Sequence, residues 1–169
     1  MNARPPTPAR RAAPLASSPA YEADFAAWAE RQAALLKAGQ FEALDVFNVA
    51  EEIESLGRSD RRALIHQLDR VLIHLLKMRH QPSRQGRSWS NSIADGRRQI
   101  DLILSDSPSL RGALDTAFET CHARARREAA RQTGLPIETF SALAPFTLDQ
   151  AIDEGYWPQA PRFPETGAE

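Results

Sequence analysis

Histidine and arginine supply the first candidate for chemistry. His66, Arg70 and His74 are spaced four apart, so on a helix they share one stripe. Histidine exchanges a proton near neutral pH, and arginine stabilises negative charge developing on a phosphoryl oxygen. Arg61, five residues ahead of His66, adds a further cation to that set. Without catalysis the same residues have a plain reading: His66 is solvated, and His74 hydrogen-bonds a partner such as Glu52.

Carboxylates and basic residues make two more candidates. Glu51, Glu52 and Glu54 could contribute metal ligands, but Glu51 points away from the neighbouring apolar stripe while Glu52 and Glu54 flank it on opposite sides. They cannot meet at one ion, and no Glu-x-x-His pair completes a bundle metal site, so neither metal nor cofactor is expected. Ten Lys and Arg face three acids between Arg58 and Arg98, whereas eight acids face two bases between Glu22 and Glu54. Trp89 beside Arg84 and Arg87 could stack on a base while the arginines hold a phosphate backbone. The competing expectation is that the two oppositely charged segments pack together and that Trp89 belongs to the core.

Other templates fail. There is no glycine-rich phosphate loop, Gly-x-Ser-x-Gly elbow or HExxH. Cys121 and His122 are adjacent, hence about 100° apart around a helix, and do not face each other. Cys121 reads as core filler.

The elements that must carry these groups are helical, because apolar residues recur at three and four positions and nowhere alternate over a strand's length. A first helix is expected from Tyr21 to Ala38, with Tyr21, Phe25, Trp28, Leu35 and Leu36 on its buried face. Asp45 should cap a second whose inner stripe is Val46, Val49, Ile53 and Leu56, with Gly57 as its stop. Ser59 should open a third running to about His80, whose wide apolar arc marks it as central, before Pro82 blocks continuation. A fourth spans Ser88 to Leu104. Ser107 and Pro108 should open a fifth that Gly134 ends, and Thr147 opens a short helix near the C-terminus. The fold expected is all-α: an up-and-down bundle of about five main helices plus one or two short C-terminal ones.

At 169 residues, one core is the expectation, with residues 20–158 as a single bundle domain. Five prolines before Tyr21 suggest a disordered lead-in over residues 1–19, and residues 159–169 read as a flexible tail. One cysteine excludes an intrachain disulfide and fits a reducing compartment, so the expected location is cytoplasmic. No run approaches the ~20 apolar residues of a membrane span.

Seven ordered segments carry a family likeness: YEADFAAWAERQAALLKAG (Tyr21 to Gly39), AEEIESLGRSDRR (Ala50 to Arg62), HLLK (His74 to Lys77), QPSRQGRSW (Gln81 to Trp89), DSPSLR (Asp106 to Arg111), TGLP (Thr133 to Pro136) and GYWP (Gly155 to Pro158). Through them the chain resembles the twenty-ninth catalogued bacterial domain of unknown function, which implies a bacterial helical bundle and brings no activity or site residues. Arg61 and His66 also match the loose arginine-then-histidine spacing of the helical HEPN ribonucleases. The leading expectation is a non-enzymatic module acting through a protein partner or as a homodimer. A metal-independent ribonuclease using Arg61, His66 and His74, and a nucleic-acid binder using the basic face of residues 58–98, are the alternatives.

Overall fold

Helix is the regular structure throughout the described residues, 19–84 and 86–159 of a computed structural model. They form α1 (Pro19–Ala23), α2 (Phe25–Lys37), α3 (Val46–His80), α4 (Arg87–Asp106), α5 (Arg111–Thr133) and α6 (Leu148–Ile152), with no strand among them. The expected lead-in up to residue 18 and the tail from residue 160 lie outside the described residues. No described helix is long and apolar enough to cross a membrane.

The chain divides into two compact units, Met1–Gly57 and Arg58–Glu169. In the second, the core is aliphatic: Leu64, Leu68, Leu72, Leu75 and Leu76 of α3 meet Ile93 and Ile100 of α4 and Leu114 of α5, and Phe140, Phe146, Leu148 and Ala151 complete it. Side-chain pairs fix the directions. Arg70 meets Asp95 while Lys77 covers Trp89, so α4 descends as α3 rises. Asp69, Lys77 and Gln81 meet Arg124, Gln132 and Thr133 in the same order, so α5 rises beside α3. This is the expected up-down-up course. The inward residues Cys121, Ala125 and Ala129 are small, which lets the α5 backbone approach its neighbours.

The terminators expected from sequence largely act. Pro82 follows α3, Gly134 ends α5 in the left-handed region at φ 73°, and Thr147 closes a full capping box with Gln150 at α6. Ser107 does not: its side chain makes no cap bond, and Pro108 to Leu110 form a tight 3-10 turn before α5.

In the first unit, Gly39 turns the chain after α2 at φ 68°, and Asp45 organises the entry to α3. Its backbone N–H donates to Gln32 Oε1 (2.9 Å), and its carboxylate accepts from Trp28 Nε1 (3.2 Å) and Asn48 Nδ2 (2.7 Å). The Asn48 backbone N–H lies 3.4 Å from Asp45 Oδ1, which is the expected N-cap.

Three expectations are corrected. The first helix is broken at Asp24, whose extended backbone and carboxylate cap α2 through Ala27 N (3.0 Å), because a cap bond offsets the loss of one helical turn. The predicted second and third helices are one 35-residue helix, α3, running through Gly57 and Ser59. A glycine inside a helix costs only about 1 kcal/mol, and no proline follows to enforce a stop. The third correction concerns burial. Val46, Ile53 and Leu56 are 63%, 66% and 68% exposed rather than inward, and on α2 only Trp28 and Gln32 are buried.

Candidate functional site

The His66 stripe forms as spaced. His66, Asp69, Arg70, Ile73, His74 and Gln132 line a cleft of about 360 Å³ between α3 and α5. Three of its polar groups, Asp69, Arg70 and Gln132, are already paired. Arg70 donates to Asp95 Oδ2 (2.8 Å), and Asp95 also pairs with Arg98. Arg124 grips Asp69 with two nitrogens (3.4 and 2.8 Å). Gln132 accepts from Lys77 and donates to Glu128. Arg61 is exposed and does not line the cleft.

Acid–base capacity in the cleft is narrow. Burial, helped by Lys77 and Arg70, pushes His74 down to about 4, so its imidazole is neutral at pH 7. Its Nδ1 is buried and finds no hydrogen-bond partner among the described residues, while Glu52, the partner expected for it, accepts a hydrogen bond from the Tyr21 hydroxyl. His66 is exposed. Among the described residues no three His, Cys, Asp or Glu side chains are grouped as a metal ion requires.

The basic segment is similarly occupied at its aromatic. Trp89 is half-buried against the core, and the buried Lys77 ammonium sits 4.6 Å from the centre of its ring, the geometry of a cation–π pair. Burial lowers the Lys77 pKa, opposed by the Glu128 charge. Arg84, in the turn after α3, and Arg87, the first residue of α4, are exposed.

Sequence reasoning missed Arg97, the largest fully buried side chain, at 2% exposure. From α4 it donates to the carbonyls of Ala151 (2.9 Å), Tyr156 (2.9 Å), Gln150 (3.4 Å) and Glu154 (3.5 Å), and lies 5.4 Å from the Trp157 ring. A planar guanidinium thus collects the carbonyls that a short helix and its exit leave unpaired. The signal was present: position 97 falls between Ile93 and Ile100 on the inward stripe of α4, where a charge needs partners. Cys121 is buried, and burial pushes its thiol up to about 12, which suits core filler and not a nucleophile.

The first unit presents a different surface. Tyr21, Phe25 and Trp28 form an aromatic cluster with ring centres 4.8 to 5.8 Å apart, and the Tyr21 hydroxyl donates to Glu52. That bond and the neighbouring acids push Tyr21 up to about 12. Of the ten large apolar side chains exposed among the described residues, seven lie between Phe25 and Leu56: Phe25, Leu36, Phe41, Val46, Phe47, Ile53 and Leu56.

The family model for the domain of unknown function DUF29 matches residues 20–157. No curated protein and no solved structure matches the chain.

Proposed function

Since the chain belongs to the DUF29 family, whose description assigns no activity, we propose from its geometry that it is a non-enzymatic helical module that works by docking a protein partner through residues 25–56. One observation carries this reading: the concentration of exposed apolar side chains in the first unit. Isolated exposed leucines are ordinary on any surface, but seven large apolar side chains exposed within one unit support an interaction site there. The Arg70–Asp95 pair favours the same reading, because a catalytic cleft keeps a charge stabiliser available for substrate.

The test is a photo-reactive amino acid placed at Ile53 in the intact chain in living cells, with Leu102 of α4 as the exposed control. A discrete protein adduct from position 53 and none from position 102 is the expected result. Equal labelling at both positions, or none at position 53, overturns the docking reading.

A further inference from the structure

Resting on that docking reading, we propose that the partner segment seated on residues 46–56 is a basic amphipathic helix. Val46, Val49, Ile53 and Leu56 follow one another at intervals of three, four and three. That alternation is the seam of a knobs-into-holes pair, and it covers about 15 Å of helix. Three of the four are more than 60% exposed and Val49 is half-buried, so among the described residues the seam is left largely uncovered. A ridge with this spacing receives the side chains of another helix in its grooves, whereas an extended segment laid along it would leave backbone N–H and C=O groups unpaired.

The charge of the partner follows from the acids that share the segment with the seam. Eight acids and two bases lie between Glu22 and Glu54. Glu52 and Glu54 flank opposite sides of the apolar stripe, and the Tyr21 hydroxyl holds the Glu52 carboxylate in place. A helix with lysine or arginine on both shoulders of its apolar face meets that field with opposite charge. A second copy of this chain, pairing seam to seam, would set the same acids against each other, a juxtaposition that disfavours association.

The full chain is titrated with a labelled synthetic helix of about 21 residues, leucine at the two seam positions of each heptad and lysine on both shoulders. The same helix with glutamate shoulders is the counterpart. The lysine helix is expected to bind on the order of tenfold more tightly, and raising salt from about 0.05 to about 0.5 M should shrink that difference. Ile53→Ser with Leu56→Ser should weaken binding on the order of tenfold with unchanged thermal unfolding, both side chains being exposed, while Leu102→Ser binds normally.

Equal binding of the glutamate helix overturns the proposed charge, and equal binding by the double serine variant shows mere charge attraction and overturns the seam. If neither helix binds while Ile53 still yields a cellular adduct, the partner has another chemistry and only the docking reading survives. A dimer in sedimentation that Ile53→Ser dissociates identifies a second copy as the occupant and overturns the proposal.

Discussion

Two side chains show how burial sets the behaviour of individual residues. Arg97 spends its guanidinium on four carbonyls near α6, so Arg97→Met leaves the buried Ala151 carbonyl and three part-buried ones without this donor. The expected cost is roughly 1–3 kcal/mol in urea unfolding, and Arg97→Lys should recover little of it because an ammonium cannot span the same fork. A loss below about 0.5 kcal/mol would show that the carbonyls find other donors. His74 gives a pH dependence. Its folded value is lowered from 6.5 to about 4, so between those limits the unfolded chain binds a proton that the folded chain refuses. The stabilising contribution is therefore complete above pH 6.5 and is lost as pH falls towards 4. His80 and His122 are lowered by burial as well and act in the same direction. The urea midpoint should fall between pH 7 and pH 5, before most carboxylates titrate, and His74→Phe should flatten part of that slope; a level profile in the native chain would contradict it. The spacing of His66, Arg70 and His74 along one stripe was legible in the sequence, but the cleft they line with Gln132 was not, because that residue comes from another helix. The pairing of the cleft's other polar groups was not legible either, since Asp95 reaches Arg70, Arg124 reaches Asp69 and Lys77 reaches Gln132 only through tertiary contacts.

Helix periodicity carried most of the element-scale reading, and its errors at helix ends trace to glycine and aspartate. Gly57 looks like a stop and is interior to α3, where a Cβ would meet nothing within 4 Å. Gly96 draws no attention in the sequence and sits where α4 crosses α3, with a Cβ at that position only 2.7 Å from Val71 Cγ2 and 3.5 Å from the Gln67 carbonyl oxygen. The same substitution should therefore act in opposite directions. Gly57→Ala should stabilise by about 0.5–1 kcal/mol, through helix propensity alone. Gly96→Ala should destabilise by about 1–3 kcal/mol, because the helices must separate or Val71 must leave its rotamer. Thermal unfolding of the two variants distinguishes them, and a destabilised Gly57→Ala would mean that the helix does end there. The stripe at Val46, Val49, Ile53 and Leu56 failed differently. Its period was read correctly as helix, but periodicity reports only that a face is apolar, and whether a neighbour covers it depends on which segments the fold brings alongside.

At the scale of the whole molecule the two units differ in how much they bury, and this difference is measurable. Every member of the aliphatic core cluster lies between Leu64 and Ala151, in the second unit. In the first, Trp28 is the one buried apolar side chain among the described residues, joined by Gln32 and Asn48 through the Asp45 network. Opening a helix that buries little apolar area costs little, so local unfolding should dominate there. Amide hydrogens of α2 should exchange at least about tenfold faster than those around Leu68 to Leu76 in α3, with α4 and α5 near the slow limit. Adding the lysine-shouldered helix should slow exchange in residues 46–56 most, because that is where an apolar face gains cover, and should leave α5 unchanged. Slow exchange across α2 in the isolated chain would contradict this picture, since protection of that strength requires the exposed phenylalanines and leucines to be covered already. Reaching the same slow rates only at high protein concentration would trace that cover to a second molecule of the chain.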